Sequence, residues 1–253
     1  MRTLPTTEGC VSPIWKIWTE ALLDLVFPRR CAGCGRMGTW LCPDCTSTLP
    51  RIEPPVCRHC GLPSRELQIC SACWQQKSHG IRTPYYFEGT LRAMVHRLKY
   101  RRARHLAEPL GLLMVDFLKT RPFPDVDAVV PVPLYPTRLK ERGYNQSVLL
   151  AQVISTHIGI PVAEDCLERV RDTPAQMSLP ARERAANVRG AFRPLNRQLA
   201  GGAVLLIDDV CTTGATLEAC AAALKRSRTK EVWALALTRA VSSPDRPHAT
   251  KTS

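Results

Sequence analysis

The spacing of apolar residues changes character along this chain. Ile14, Trp15, Trp18, Leu22 and Leu25 recur at three- and four-residue steps, which places them on one face of a helix. Lys16, Glu20 and Asp24 interrupt the stretch Ile14–Phe27, and it falls short of the roughly 20 apolar residues that a membrane span needs. Core packing is its expected use, with contact to a membrane surface as the alternative. Over residues 29–80 the periodicity disappears and large apolar side chains thin out. From Tyr85 it returns as an alternation of strands and helices. A short strand at Tyr85–Phe87 precedes a helix carrying Leu91, Met94, Val95 and Leu98 on one face, and a second helix covers Ala103–Lys119. Then follow a strand at Ala128–Val132, a helix from Asn145 to about His157, a strand near Leu167–Val170 and a short helix around Ala181–Val188. The strand Ala203–Ile207, the Ala/Leu-rich helix Ala215–Arg226 and the strand Glu231–Leu237, expected to close the sheet, complete the series. Such alternation predicts an α/β domain whose parallel sheet is covered on both faces. The expected division is a helical segment at 1–28, a cysteine-rich domain at 29–80, the α/β domain at 81–241 and a disordered polar tail at 242–253.

The cysteine-rich stretch has its own logic. Eight of the 12 cysteines form C-x-x-C pairs: Cys31/Cys34, Cys42/Cys45, Cys57/Cys60 and Cys70/Cys73. No secretory signal precedes them, so a reducing, cytoplasmic setting is expected, where thiols bind metal rather than pair as disulfides. C-x-x-C lets two thiolates grip one ion at about 2.3 Å, and four thiolates leave no coordination position open to water. Two structural zinc ions are therefore expected, grouped either consecutively or as an interleaved cross-brace. With so little apolar material nearby, metal should supply the folding energy, on the order of 10 kcal/mol per site. A redox role for one pair is the weaker alternative. Cys10, Cys166, Cys211 and Cys220 lack metal spacing, and His59 and His79 read as bystanders.

Charge adds a further constraint. The formal net charge is +13, which favours a polyanionic partner or an anionic substrate. Arg92, Arg97, Lys99, Arg101, Arg102 and Arg104 lie together between Gly89 and Ala107 without an acid among them. A solvated helix face and a phosphate-backbone contact both fit this run. Trp40, Trp74, Tyr85, Tyr86 and Tyr100 lie near these regions and could stack on bases, although core packing suits each of them singly.

The most informative string is Val204–Thr216. An apolar strand ends in Asp208 and Asp209, followed by Thr212, Thr213, Gly214, Ala215 and Thr216 and then a helix. Ligands of open α/β sheets bind at the carboxyl ends of strands, and a helix N-terminus offers unpaired N–H groups to an anion. Adjacent carboxylates would repel a phosphate but suit a sugar diol through charge-assisted hydrogen bonds. Phosphate donors beside diol acceptors describe a ribose 5-phosphate.

This string resembles the phosphoribosyl pyrophosphate signature of type I phosphoribosyltransferases. With the cysteine-rich head, and with the stretches Val130–Gln146, Arg171–Gln176 and Arg184–Phe192, the sequence from about Leu22 to Arg239 resembles the ComF family. The resemblance implies a type I phosphoribosyltransferase fold with a small four-cysteine zinc-ribbon domain, the ribbon being double. It implies that Asp208 and Asp209 hold the ribose hydroxyls and that Thr212–Thr216 hold the 5′-phosphate. Arg138, Lys140 and Arg142 would serve the leaving pyrophosphate, with Mg²⁺ bridging the ligand's oxygens, and Arg171 would open a mobile loop over the site. The functions implied are DNA uptake in natural transformation with single-stranded DNA bound, transfer of ribose 5-phosphate to a small acceptor, or sensing of phosphoribosyl pyrophosphate without turnover. Partners in the uptake machinery at the inner membrane follow from the first of these. Hypoxanthine-guanine salvage enzymes carry an Asp where Thr212 stands here, which argues against oxopurine salvage.

Overall fold

The computed structural model describes residues 28–64, 70, 73, 76–121, 123–173 and 186–241. The amphipathic stretch Ile14–Phe27, most of the expected helix at 181–188 and the tail from Ser242 lie outside them. The chain divides into two compact units, Met1–Ser47 and Thr48–Ser253. In the first, Arg30 bridges Met37 in antiparallel fashion around the first C-x-x-C turn, and a single helical turn follows (α1, Pro43–Ser47).

In the second unit the chain forms β1 (Gly80–Arg82), β2 (Tyr85–Tyr86), α2 (Gly89–Tyr100), α3 (Ala107–Thr120), β3 (Ala128–Pro131), α4 (Pro136–Arg142) and α5 (Gln146–Ile158). It continues through β4 (Leu167–Arg169), β5 (Phe192–Pro194), β6 (Ala203–Cys211), α6 (Ala215–Arg226) and β7 (Glu231–Arg239). The main sheet is parallel in the order β1-β7-β6-β3, with β2 following β1 along the same edge of β7. β6 and β7 occupy its centre and are apolar on both faces, as strands covered on both sides must be. On one face Leu217, Cys220, Ala221 and Leu224 of α6 pack against Val204, Leu206, Val232 and Ala234. Helices α3 and α5 cover the other.

Three expectations change. β7 was expected to close the sheet, but β1 and β2 lie beyond it; three residues, Gly-Ile-Arg, are too few to show a period. The strand at Leu167–Arg169 leaves the parallel sheet and pairs antiparallel with β5. Helix α4 was unforeseen, although its signals are local: Pro at its first position and Gly143 at φ 76 as its left-handed cap.

Where α3 crosses α5, a Cβ on Gly111 would lie 2.6 Å from Val153 Cβ. On an exposed helix Gly→Ala gains up to about 1 kcal/mol. Here overpacking costs about 1–3 kcal/mol, so Gly111→Ala should lower the urea midpoint. A raised midpoint would show that the two helices can separate without penalty.

Candidate functional site

β6 runs past the expected boundary to Cys211, so Asp208 and Asp209 sit within the last residues of the strand and are buried. The loop then reaches Gly214, which caps α6 at φ 85. A side chain there would also lie 2.9 Å from Ile81 Cδ1, so glycine is required both by conformation and by space. Thr216, in the first turn of α6, reaches a cavity of about 130 Å³. Asp208, Asp209, Thr212, Thr216, Arg138 and Arg142 all line it. The remaining expected residues stand elsewhere. Thr213 and Ala215 line a separate cavity beside α6, Gly214 is buried under Ile81, and Lys140 is exposed on α4. Arg171 is exposed and donates to the carbonyls of Asn187 and Arg189 at 2.8 Å each.

Two further cations line the cavity, Arg169 and, at the end of α2, Lys99. Its ammonium lies 2.6 Å from Asp209 Oδ2. Lys99 extends the row Leu91–Val95 at four-residue steps, so a buried position was legible in the helix period; grouping it with the basic run hid that signal. Ser147 Oγ donates to Asp208 Oδ1 at 3.1 Å, and the Asp209 N–H donates to the same oxygen at 2.9 Å. Arg142 reaches the pair indirectly, donating to Gln146 Oε1 at 2.8 Å, while Gln146 Nε2 lies 3.5 Å from Asp209 Oδ1.

Burial and the neighbouring Asp209 charge push Asp208 up to about 7. Burial acts on Asp209 in the same direction, but the Lys99 ammonium outweighs it and holds Asp209 below the usual carboxylate range. Near neutral pH the pair thus carries between one and two negative charges, with Lys99 against one of them. Also lining the cavity, Arg138 donates to the Thr173 carbonyl and lies 3.6 Å from Asp172. Arg169 donates to Thr173 Oγ1 at 2.5 Å, and its buried Nε has no hydrogen-bond partner among the described residues. Two guanidinium groups therefore converge on Thr173, and residues 174–176 of the stretch expected to begin a mobile loop lie outside the described residues.

The cysteines form two clusters, Cys31/Cys34/Cys42/Cys45 and Cys57/Cys60/Cys70/Cys73, with the four sulfurs of each within 4.8 Å of one another. The grouping is consecutive. Cys34 and Cys42 are 3.7 Å apart and Cys60 and Cys70 are 3.8 Å apart, close to the ~3.8 Å edge of a tetrahedron built on ~2.3 Å zinc–sulfur bonds. The backbone N–H of Cys42 donates to Cys31 Sγ, and that of Cys70 to Cys57 Sγ, each at 3.3 Å. Burial raises Cys31 and Cys57, but such backbone donors win and bring both down to about 6. Burial pushes Cys60 up to about 11. The donor set suits zinc.

Comparison with known proteins agrees with this geometry. A family model described as a double zinc ribbon domain matches residues 22–79, and one described as a phosphoribosyl transferase domain matches residues 144–253. DNA utilization protein YhgH of Escherichia coli K12 is 33% identical over 212 residues, spanning 80% of this chain and 92% of that protein. Competence protein F of Haemophilus influenzae is 33% identical over 211 residues, spanning 78% and 90%. The chain belongs to the ComF family. Competence protein ComFC of Bacillus subtilis is a further relative, 29% identical over 191 residues and spanning 70% and 74%. The ComF-family chain thus combines a phosphoribosyltransferase-type α/β domain with two four-cysteine sites that fit a double zinc ribbon. Among the described residues no helix is long and apolar enough to cross a membrane.

Replacing Lys99 by Met should expose the cost of the paired acids. In the native chain the depressed Asp209 contributes stability above its unfolded value, lost as pH falls through the folded one. Without Lys99 the pair is raised instead, so Lys99→Met should cost about 3 kcal/mol at pH 7, and less at pH 5 as the acids protonate. Urea titration at both pH values checks this; a deficit independent of pH would remove Asp209 as its partner.

Proposed function

We propose that this ComF-family chain binds phosphoribosyl pyrophosphate with Mg²⁺ in the cavity at the end of β6. The observation that carries the reading is the meeting, in one cavity, of a buried carboxylate pair, Thr212 and Thr216 from the turn into α6, and the guanidinium groups of Arg138 and Arg142. Asp208 and Asp209 accept the two ribose hydroxyls once Lys99 withdraws. Thr212, Thr216 and the N–H groups behind Gly214 hold the 5′-phosphate, with Thr213 and Ala215 shaping that turn. Arg138 and Arg142 face the pyrophosphate; Lys140 and Arg171 stand outside this lining and would have to be brought to the pyrophosphate when the ligand binds. Mg²⁺ neutralises the ligand's phosphates, and the carboxylate oxygens of the site are the hard donors it prefers.

The residues lining this cavity offer charge. Cations facing a departing pyrophosphate stabilise it electrostatically. The same arrangement serves transfer of ribose 5-phosphate to an acceptor or a sensor that binds without turnover. Release of pyrophosphate on addition of candidate acceptors distinguishes the two.

The names of the relatives point to DNA. We assign single-stranded DNA binding, in the cytoplasm and in the service of uptake, to the end of α2. Arg101 and Arg102 are exposed there. Tyr100 is 58% exposed beneath the Arg142 guanidinium, 5.2 Å from the ring centroid. Cations beside an open ring favour phosphate contact combined with base stacking. Proteins of the uptake machinery at the inner membrane are the expected partners.

Titration calorimetry of phosphoribosyl pyrophosphate with Mg²⁺ should show binding to the native chain. Binding should be lost in Asp208→Asn/Asp209→Asn with zinc content unchanged, since each charge-assisted contact contributes about 1.5–3 kcal/mol. Undiminished binding in the double variant would sink the diol assignment.

Reversing Arg101, Arg102 and Arg104 to Glu should abolish salt-sensitive single-stranded DNA binding, measured by fluorescence anisotropy, and leave ligand affinity within about threefold. Arg104 also stacks on Tyr144 and donates to the Gly143 carbonyl, so Arg101→Glu/Arg102→Glu alone should already weaken DNA binding. Equal DNA affinity in both variants would return the run to a solvated face.

A further inference from the structure

The second four-cysteine cluster and the phosphate loop belong to the same compact unit and are joined through buried side chains. Arg239, the last residue of β7, is 1% exposed. Its guanidinium donates from Nη2 to the Cys60 carbonyl, from Nη1 to the Thr212 carbonyl at 3.1 Å and from Nε to Thr83 Oγ1 at 3.2 Å. One side chain thus spans a metal-ligand residue and the first threonine of the phosphate loop. All three acceptors are neutral, and no carboxylate pairs with Arg239 among the described residues. A divalent ion held by four thiolates carries a net charge of −2, which is the counter-charge a buried guanidinium here requires.

Glu218, in the first turn of α6, makes a second tie. Its Oε2 accepts the backbone N–H groups of Lys77 and Ser78 at 2.7 and 3.0 Å. Its Oε1 accepts Ser78 Oγ at 2.5 Å and lies 3.2 Å from His59 Nε2. His59 stands inside the Cys57–Cys60 turn, and Lys77 and Ser78 stand on the chain leaving Cys73. A third tie is steric: the Ile81 N–H donates to the His59 carbonyl at 2.5 Å, and the Ile81 side chain fills the space against Gly214.

We infer that Arg239 and Glu218 are positioning residues that fasten the phosphate loop to the second four-cysteine site, so that metal held by Cys57, Cys60, Cys70 and Cys73 sets the loop's ligand-binding shape. This deepens the proposed ligand reading and rests on it. The metal turn has little apolar material of its own, so its shape depends on the ion; losing the ion frees Cys60, His59 and the chain after Cys73 together. Coupling between two sites is reciprocal. A ligand that needs the loop ordered must therefore slow the loss of metal from this site. The cluster Cys31/Cys34/Cys42/Cys45 belongs to the other compact unit and serves as the control.

The test uses the full-length, zinc-loaded chain. Zinc release by a thiol-modifying reagent is followed colorimetrically with and without phosphoribosyl pyrophosphate and Mg²⁺, and binding is measured in parallel by calorimetry. Ligand should slow release of one zinc about tenfold and leave the other unchanged. In Cys34→Ser/Cys45→Ser the ligand-sensitive phase should remain. In Glu218→Gln and in Arg239→Met, both zinc ions should load, the protection should vanish and the ligand Kd should rise about tenfold, with Arg239→Lys restoring part of each. Calorimetric binding without any protection, or with equal slowing of both phases, would overturn the coupling while leaving the ligand site standing. Absence of calorimetric binding to the native chain would remove the ligand reading, and the coupling with it.

Discussion

Asp208 and Asp209 lie side by side at the end of a strand buried on both faces, and two like charges cannot remain there without compensation. The surrounding elements supply it. α2 delivers Lys99 to one acid, α5 begins with Ser147 and Gln146 against both, and α4 brings Arg142 behind Gln146. Each of these side chains stands at or near a helix terminus. That is where a side chain can reach a strand end without entering the apolar layer between helix and sheet. The packing of the α/β layers and the electrostatics of the site are therefore parts of one solution.

The arrangement also sets what can bind. Lys99 occupies Asp209 in the structure, so a diol must displace an internal cation, and a ligand that brings Mg²⁺ brings a replacement. Arg138 and Arg169, which also line the cavity, both turn toward Thr173. Burial and the repulsion of Arg138 lower the Arg169 pKa. An anion bound between these guanidinium groups would relieve that repulsion. A neutral sugar would satisfy the acids alone, whereas a sugar carrying phosphates would meet the guanidinium groups as well.

Local chemistry was the legible part. The boundaries of α6 match those read from its apolar spacing, and the C-x-x-C pairs gather as metal clusters, because the information for each lies within a few residues. β1 and α4 were missed because elements of three and seven residues show no dependable period. Lys99 and Arg239 were missed for a different reason. Their roles depend on partners 110 and 27–179 residues away, and a basic residue whose partners lie that far along the chain reads as surface. His59, read as a bystander, meets Glu218 across 159 residues.

The position of Thr212 shows how the two long-range cations divide their work. Its side of the loop lines the cavity, while its carbonyl is held from behind by Arg239. An acid at this position would place a third carboxylate beside Asp208 and Asp209, and burial would push all three toward protonation. A hydroxyl adds a donor without adding charge, so the loop can be anchored to a buried guanidinium on one face and offered to a phosphate on the other. Acid-assisted proton transfer from this position is thereby given up. Bound as proposed, an anion would meet a loop whose Thr212 carbonyl Arg239 holds, next to an acid pair that Lys99 compensates.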